Sequence, residues 1–275
     1  MSLGLGDALL LGVVEGLTEF LPVSSTGHLT IVEGLLGLEV DDESVTAFTA
    51  VIQAGAIAAV LVYFRRDIAR LIRAVGRGLR NPEARQDPDW RMAWYVVAGS
   101  MPIGIVGLAG KSVIEGPLRH LVVVTIALIV WSPVLVYAER RARQDREERE
   151  LTLTDALVVG GVQCLALVPG VSRSGATISA GLLRGLDRVS ATRLSFFLSI
   201  PALTAAAVLE LPASLGEGVG AGPTLVGTLV SFVVAYASIA WLLRFVAHHP
   251  ISWFVPYRVL VGLAVLGVLL GQALT

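Results

Sequence analysis

The sequence predicts an all-α polytopic membrane protein with six transmembrane helices and two re-entrant helical hairpins in an inverted-topology repeat. Of its 275 residues, 55% are hydrophobic and 16% are charged, and the mean hydropathy is +0.75, which excludes an ordinary soluble globular chain. Six apolar runs approach or exceed the ~20 residues that a helix needs to cross a bilayer. Two further apolar stretches are each interrupted by a proline followed by hydroxyl residues and a glycine.

The six long apolar runs define the predicted spans. They cover residues 45–64, 92–110, 119–138, 194–212, 224–245 and 254–274. The start of the sequence has neither a basic n-region nor a small-residue cleavage site, so no removable signal peptide is expected. The single cysteine, Cys164, excludes an intramolecular disulfide and a cysteine-based metal site. We therefore expect residues 1–275 to form a single membrane domain.

The two interrupted stretches predict the re-entrant hairpins. In the first, apolar pieces at about 3–21 and 29–38 lie on either side of Pro22. In the second, the stretch 156–183 is broken in its middle at Pro169. Each half is too short to be a convincing span, and non-helical backbone at membrane depth is tolerated only where it is buried in protein or lines a wet cavity. Such a turn inside a membrane protein is therefore a candidate site.

Charge in the loops predicts the orientation. Arginine is concentrated in the loops 65–91, 139–155 and 184–193, which the positive-inside rule places in the cytoplasm. Alternation of the six spans then puts both termini outside, together with the loops 39–44, 111–118 and 213–223. The first hairpin would enter the membrane from the outer face and the second from the cytoplasmic face.

An internal repeat supports this topology. At an offset of 148 residues, several glycine, serine and proline positions coincide: Gly12 with Gly160, Ser24 with Ser172, Gly27 with Gly175, and Pro102 with Pro250. Apolar coincidences arise easily in such a composition, so these positions carry the weight. Repeat one covers about 1–138 and repeat two about 150–275. Three spans per repeat invert the second copy, and in such architectures the binding site lies near the midplane, where broken helices meet.

The first interrupted stretch contains two carboxylates in the sequence EGLTEFLPVSSTGHL, residues 15–29. Glu15 and Glu19 are four residues apart and therefore share one face of a helix. Buried like charges repel, so the pair would need a cation, a proton or an arginine between them. A structural role, with one carboxylate capping a turn or reaching outward, is the alternative. The cost of carboxylates in an apolar helix favours a functional role.

The turn of the first hairpin consists of Ser24, Ser25, Thr26, Gly27 and His28. A serine before an apolar run commonly caps a helix, and this is the structural interpretation. The N-terminus of the following helix also suits an anion, so capping and ligand binding are compatible. Histidine is the side chain best matched to proton transfer near neutral pH. We predict that His28 acts as base or acid for the hydroxyl of Ser25.

The turn of the second hairpin has the sequence QCLALVPGVSRSGAT, residues 163–177. Ser172, Ser174, Gly175 and Thr177 are predicted to bind the ligand, because glycine lets the backbone approach closely and the next helix begins here. The pattern GxxxxGK[ST] is absent, so this is not a Walker loop.

Two further residues of the second turn extend this site. The planar guanidinium of Arg173 suits phosphate oxygens, and it could equally neutralise Glu15 or Glu19; both roles can hold together. Gln163 occupies the repeat position of Glu15, where it either hydrogen-bonds in the site or only marks common ancestry.

Two carboxylates, a serine, a histidine and an arginine favour phosphoryl transfer, in which positioning and charge stabilisation dominate. A site near the midplane, without a large soluble domain, favours a lipid-borne substrate. A lipid-phosphate transporter or flippase is the main alternative, because inverted repeats with broken helices are typical of transporters. An acid-phosphatase-like lipid phosphatase is disfavoured because no KxxxxxxRP segment is present. A purely structural role would leave the buried carboxylates and arginine unexplained.

The two motifs resemble those of the undecaprenyl-pyrophosphate phosphatase family of the BacA/UppP type. That family carries an ExxxE segment followed by PxSSTGH, and later PGxSRSGxT, which match residues 15–28 and 169–177. The resemblance covers essentially the whole chain. It implies hydrolysis of the terminal phosphate of undecaprenyl pyrophosphate, which regenerates a lipid carrier for peptidoglycan synthesis and links the family to bacitracin resistance.

The resemblance also implies roles for individual residues. The matching positions are Glu15, Glu19, Ser25, His28, Ser172, Arg173 and Thr177. It implies a divalent cation, Mg²⁺ or Ca²⁺, for which Glu15 and Glu19 are the expected ligands. The expected location is the bacterial plasma membrane with an outward-facing site. The expected partners are a polyprenyl pyrophosphate lipid and the membrane but no nucleic acid, and a homodimer is left open.

The hypothetical mechanism has two forms. In both, Arg173, Ser172, Thr177 and backbone N–H groups hold the pyrophosphate. In the covalent form, Ser25 attacks the terminal phosphorus while His28 takes and returns the proton. In the direct form, water attacks and Ser25 only binds phosphate. The sequence fits both forms equally.

Overall fold

The computed structural model describes residues 3–38, 43–214 and 219–274. Within these ranges the chain forms twelve α-helices and no named strand. In chain order they are α1 (Leu5–Thr18), α2 (Ser25–Leu35), α3 (Glu43–Tyr63), α4 (Arg65–Arg80), α5 (Pro88–Ala109), α6 (Lys111–Glu115), α7 (Leu121–Arg141), α8 (Leu153–Gln163), α9 (Arg173–Leu183), α10 (Arg188–Ser214), α11 (Ala221–Val246) and α12 (Val255–Leu274). Most of the predicted loop 39–44, and the middle of the loop 213–223, fall outside the described residues.

The six predicted transmembrane helices are confirmed as helices of sufficient length and apolarity. They comprise Ser44–Tyr63, Pro88–Ala109, Leu121–Arg141, Arg188–Val208, Ala221–Val246 and Ile251–Gln272. The helix α5 begins four residues earlier than predicted. Its start is fixed by Asp87, whose carboxylate accepts a hydrogen bond of 2.9 Å from the N–H of Asp89, and by Pro88 in the first turn. Polar start signals therefore extend this helix beyond its apolar run.

The helix α4 was not predicted, because residues 65–91 were interpreted as a loop on the strength of their arginines. The arginines conceal an apolar stripe at helical spacing, formed by Ile68, Leu71, Ile72 and Val75. Leu71 and Ala74 are buried against the protein, whereas the arginines point away from it. The most basic segment of the sequence therefore forms an amphipathic helix.

Two pairs of short helices, α1–α2 and α8–α9, coincide with the interrupted stretches. The chain leaves α1 at Thr18 and resumes helix at Ser25, and it leaves α8 at Gln163 and resumes at Arg173 after a 3₁₀ turn. Both resumptions follow a serine with a left-handed backbone, with φ of 78° at Ser24 and 77° at Ser172. Such values are rare for residues other than glycine and are a common sign of a functional turn.

Glycines allow the first helix of each pair to lie directly against a long helix. A Cβ added at Gly12 in α1 would lie 2.5 Å from the carbonyl oxygen of Gly227 in α11. A Cβ added at Gly160 in α8 would lie 1.9 Å from the carbonyl oxygen of Gly99 in α5. Close backbone contact through small residues is the usual way in which membrane helices pack. Both crossings therefore require glycine.

These two crossings correct one of the predicted repeat matches. Pro102 lies inside α5, whereas Pro250 lies in the turn before the 3₁₀ segment Ile251–Phe254. The two prolines therefore do not occupy corresponding places. The glycine crossings place α11 against α1 and α5 against α8. The extra helix α4 lies between α3 and α5, so no single offset can align both the hairpins and the later helices.

An aromatic cluster packs against the first turn. Phe20 is fully buried and meets Phe196 of α10 edge to face, with ring centroids 5.4 Å apart. Phe64 lies 5.8 Å from the same ring of Phe196. Aromatic pairs of this geometry add about 0.5–1.5 kcal/mol beyond area burial. The turn after α1 is thereby fixed to the long helices.

Candidate active site

The turns of the two helix pairs are joined to each other by serine hydroxyls. Ser24 Oγ accepts hydrogen bonds from the N–H of Gly27, at 3.4 Å, and from the N–H of Gly170 in the other turn, at 3.0 Å. Ser174 Oγ donates to the carbonyl oxygen of Leu21 across the same boundary, at 2.8 Å. The two turns therefore form one unit, and these hydroxyls hold it together.

Ser172 repeats the capping role of Ser24 in the second turn. Its Oγ accepts a hydrogen bond of 3.2 Å from the N–H of Gly175 and lies 3.2 Å from Ser174 Oγ. The structural interpretation of these serines as N-caps therefore applies in both turns.

Side chains from both turns contact the carboxylate of Glu19. Ser25 Oγ donates a hydrogen bond of 2.5 Å to Glu19 Oε2, and Arg173 Nη2 lies 3.3 Å from Glu19 Oε1. The side chains of Glu19 and Arg173 are 5% and 10% exposed, so this is an ion pair largely shielded from water. The predicted neutralisation of a carboxylate by Arg173 is therefore present, at Glu19. The carboxylate is also within reach of a serine proton.

His28 does not contact Ser25, contrary to the predicted pair. Its Nδ1 lies 2.7 Å from the carbonyl oxygen of Ser24, and its Nε2 lies 2.8 Å from the hydroxyl of Tyr257 in α12. A carbonyl oxygen only accepts, so Nδ1 carries the proton, and the Nε2 of a neutral ring accepts from Tyr257. The rings also stack, with centroids 5.5 Å apart. The group beside the Ser25 hydroxyl is Glu19 instead.

Glu15 and Gln163 supply unpaired polar atoms at the related positions of α1 and α8. Both side chains are buried, and Glu15 Oε1 and both polar atoms of Gln163 have no hydrogen-bond partner among the described residues. Arg173 Nε is unpaired in the same way. A buried polar group without a partner costs about 1–3 kcal/mol. These atoms are therefore the ones that a bound polar ligand would satisfy.

The other predicted binding residues have packing roles in the structure. Thr26 is exposed, and Thr177 donates to the backbone of Arg173 at 2.8 Å and contacts Ser195 Oγ at 2.7 Å. A Cβ at Gly27 would lie 3.1 Å from Val124, and one at Gly175 would lie 3.3 Å from the Cβ of Ser172. These glycines therefore serve the close packing of the turns. The hydroxyl of Thr177 connects α9 to α10.

Arg258 is a central residue that the sequence analysis missed. It is 0% exposed within the span Ile251–Gln272, and its guanidinium donates to the carbonyl oxygens of Pro22, at 3.0 Å, and Gly170, at 2.9 Å. It also reaches Val171 O, Leu128 O and Ser132 Oγ. One arginine thus ties both turns to α7 and α12. The signal was available, since a charge inside a predicted span is expensive and usually functional.

The residues present could hold a cation only together with a bound ligand that supplies further oxygen atoms. No group of three or more His, Cys, Asp or Glu side chains that could hold a metal occurs among residues 3–38, 43–214 and 219–274. Glu19 is already engaged by Ser25 and Arg173, whereas Glu15 has an unpaired oxygen. Mg²⁺ is commonly held by one or two carboxylates together with substrate phosphates and water. Glu15 and Glu19 fit such a shared site.

The fold and the site together define a class of protein: a polytopic membrane protein whose polar centre, formed where two broken helix pairs meet, contains a carboxylate, a hydroxyl, an imidazole and two arginines. The sequence matches the family model described as bacitracin resistance protein BacA over residues 8–264. The chain belongs to this family.

Curated relatives span nearly the whole chain. A protein of Streptomyces coelicolor named undecaprenyl-diphosphatase 1 is 59% identical over 98% of this chain and 97% of its own length. One of Frankia casuarinae named undecaprenyl-diphosphatase 3 is 58% identical over 94% of this chain and 95% of its own length. One of Cutibacterium acnes named undecaprenyl-diphosphatase is 51% identical over 98% of both.

Proposed function

We propose that the protein is an undecaprenyl-diphosphatase that removes the terminal phosphate of undecaprenyl pyrophosphate. The observation that carries this proposal is the contact of Glu19 with both Ser25 and Arg173, which puts a hydroxyl, a proton acceptor and a phosphate-binding cation at one buried point. The names of relatives that are 57–59% identical over 96–99% of the chain support the same activity.

The pyrophosphate is held by the second turn. Arg173 has an unpaired Nε beside its contact with Glu19, and it stands at the first position of α9, whose N-terminus favours an anion. Gln163 offers an amide with both polar atoms free. A phosphate entering here satisfies buried atoms that otherwise lack partners, so binding removes a cost as well as adding contacts.

The covalent route uses Ser25 as the nucleophile. Its oxygen forms a bond to the terminal phosphorus, its proton passes to Glu19, and the bond from that phosphorus to the bridging oxygen breaks to release undecaprenyl phosphate. Water then cleaves the phosphoserine and releases inorganic phosphate. In the direct route, Glu19 takes the proton of an attacking water and Ser25 hydrogen-bonds the phosphate. His28 is hydrogen-bonded to Ser24 and Tyr257, so in neither route does it exchange a proton with Ser25.

Single-turnover trapping separates the two routes. Purified protein would be mixed with labelled undecaprenyl pyrophosphate, quenched in acid and digested, and Ser25 would be examined for phosphate. The covalent route predicts a transient phosphoserine and loss of turnover in Ser25→Ala. Near-normal turnover of Ser25→Ala would overturn the covalent route and leave the direct one.

A divalent cation is the proposed cofactor. Glu15 and Glu19 would hold Mg²⁺ or Ca²⁺ together with phosphate oxygens, and the cation would supply charge neutralisation to the pyrophosphate. The unpaired oxygen of Glu15 supports this assignment. Titration of chelated protein with Mg²⁺ and Ca²⁺ in the presence and absence of lipid would test it. Cation binding without lipid at equal affinity would contradict a shared site.

The finer architecture is part of the proposal. Both helix pairs are re-entrant hairpins, and the chain is an inverted repeat of about 1–138 and 150–275. Matching left-handed serines at Ser24 and Ser172, and the reciprocal glycine crossings of α1 on α11 and α8 on α5, support it. The protein lies in the bacterial plasma membrane with both termini and the site facing outward, and it recycles the lipid carrier of peptidoglycan synthesis. Accessibility of cysteines introduced near each terminus to an impermeant reagent would test the orientation.

A lipid-phosphate transporter with the same architecture is not favoured, because the curated relatives are named diphosphatases. The deciding assay is phosphate release from C55 or C15 prenyl pyrophosphate by purified protein, with and without EDTA, beside Arg173→Ala and His28→Ala. Release that disappears with chelator and in both variants supports the hydrolase. Lipid binding without release by folded wild type would favour the transporter.

A further inference from the structure

The helix α4 has the properties of a helix lying at a membrane surface. It connects two candidate spans, Ser44–Tyr63 and Pro88–Ala109, and carries six arginines and one aspartate within Arg65–Arg80. Ile72 and Leu79 on its apolar side are each 66% exposed, and contact with water does not stabilise apolar side chains of this size. An amphipathic helix with arginines on one face and large apolar residues on the other typically lies in the interface of a bilayer.

An apolar groove runs beside α4. It has a volume of about 300 Å³ and is lined only by apolar residues of α4, α5 and α10, among them Ile72, Val97 and Ile200. The lining residues on α5 and α10 run from Ala93 to Val97 and from Phe197 to Pro201, each series leading away from the arginine-rich end of its span. The groove thus extends from the level of α4 into the depth of the spans.

The helix α4, which borders the groove, carries positive charge that is only partly neutralised within the protein. Arg70 pairs with Asp67 and Asp89, and Arg77 pairs with Asp87. The other arginines of α4 are exposed and have no carboxylate partner among the described residues: Arg65, Arg66, Arg73 and Arg80. Four unneutralised guanidinium groups therefore stand on the helix that borders the groove.

We propose that α4 and this groove form a binding site for an anionic phospholipid, with one acyl chain in the groove and the phosphate held by arginines of α4. The apolar lining excludes a polar occupant, and the arginines select a negatively charged headgroup over a zwitterionic one. Juxtamembrane basic clusters attract anionic lipids, and the attraction grows with the number of arginines near the surface. The site has no part in phosphate hydrolysis, so its test is independent of the proposed enzyme.

Spin-labelled phosphatidylglycerol and phosphatidylcholine, compared by electron paramagnetic resonance on the full-length protein in nanodiscs, would measure the selectivity. Wild type should bind phosphatidylglycerol preferentially. The variant Arg65→Gln/Arg66→Gln/Arg73→Gln/Arg80→Gln should lose at least about threefold of that preference. The matched control Arg91→Gln/Arg140→Gln/Arg141→Gln/Arg149→Gln removes four exposed arginines elsewhere and should keep it. An equal loss in both variants, or no preference in wild type, would overturn the proposal.

A second pair of variants tests the acyl chain. Val97→Trp narrows the groove and should reduce the immobilised fraction of a phosphatidylglycerol labelled in its acyl chain. Val130→Trp, at a similarly exposed position of α7 outside the groove, should leave it unchanged. Unchanged immobilisation in Val97→Trp would show that the groove does not hold the chain. Recovery of a polyprenyl lipid from the groove in place of phospholipid, by native mass spectrometry, would also overturn the proposal.

Discussion

The turns that follow α1 and α8 have the same backbone design but different chemistry. Each ends at a serine near φ +78° whose hydroxyl caps the next helix at a glycine three residues later. The first helix of the first pair carries Glu15, and the related position of the second pair carries Gln163. Ser25 and Arg173 then occupy the same first position of α2 and α9.

The residues at the first positions of α2 and α9 differ in chemistry, although the two turns share a backbone arrangement. Both first-position side chains reach Glu19, one with a hydroxyl and the other with a guanidinium. The position in the second pair that corresponds to Glu19 is Leu167, so at this position only the first pair carries a carboxylate. The serines at 24 and 172 supply a common scaffold, and the residues that differ place a hydroxyl and a carboxylate on one side and a guanidinium on the other.

The largest effect is expected from Glu19→Gln, which removes the carboxylate that contacts both Ser25 and Arg173. Phosphate release should fall by about 10²–10⁴-fold, the range of a general base. The double variant Glu19→Gln/Arg173→Gln, which leaves no buried unpaired cation, should melt at a higher temperature than Glu19→Gln and remain inactive. Retained activity in Glu19→Gln would remove Glu19 from the proton transfer and return that role to His28.

Removal of the arginine that joins the two turns should be the next largest effect. Arg258→Met leaves several buried carbonyl oxygens without a donor, and we expect a loss of about 3 kcal/mol of stability. Thermal unfolding in detergent would measure it. Arg244→Met, at the end of α11 where the side chain meets solvent, serves as the control. Equal melting of the two variants would show that the turns are held without Arg258.

The first turns of α1 and α8 each contain an aspartate, but the two carboxylates differ in burial and in hydrogen bonding. Asp7 accepts from the N–H of Gly4, whereas the buried Asp155 accepts from Thr152 and from Arg146 and Arg184. Burial alone would raise the pKa of Asp155, but its hydrogen bonds outweigh burial and hold the pKa well below its ordinary value.

We therefore expect Asp155→Asn to cost about 2 kcal/mol and Asp7→Asn less than about 1 kcal/mol. Because the folded-state pKa is depressed, the contribution of Asp155 is present above the ordinary aspartate pKa of about 3.9 and is lost as the pH falls below it. Melting curves between pH 3 and 7 would measure both variants. A stability difference from wild type that grew on acidification would contradict the assigned direction.

The two capping serines should differ by a smaller amount. Ser24→Ala loses an acceptor for both Gly27 and Gly170, whereas Ser172→Ala loses the acceptor for Gly175. We expect Ser24→Ala to be the more destabilising by about 1 kcal/mol. Glycine at either position should partly restore stability, because it tolerates the positive φ. Identical melting of the two alanine variants would indicate that the bond between the turns adds nothing.

The smallest effect is expected at Tyr257, which positions His28 and has no counterpart in the second turn. Tyr257→Phe keeps the stacked ring but removes the hydroxyl from His28 Nε2. We expect kcat to fall by about threefold to tenfold while KM stays within about twofold, since one neutral hydrogen bond is worth about 1 kcal/mol. Tyr236→Phe is the control, and a loss confined to KM would assign Tyr257 to substrate binding.

Most of the helical framework was predictable, because apolar runs and the prolines at 22 and 169 are local features of the sequence. The six spans and the two interrupted stretches follow from hydropathy alone. The helix α4 was missed because its arginines were counted as loop charge, although its apolar stripe has helical spacing. The predicted match of Pro102 with Pro250 is not seen, because Pro102 lies inside α5 whereas Pro250 precedes a 3₁₀ segment.

By itself, the sequence determined which residues are costly to place in a membrane, and it therefore predicted a site at Glu15, Glu19 and Arg173. Only the tertiary structure decided their partners. Ser25 reaches Glu19 rather than His28, and the unflagged Arg258 holds the two turns together. The physical reason is that hydrophobicity is a property of each residue along the chain, whereas a hydrogen bond depends on the distance and direction between groups that are up to 236 positions apart.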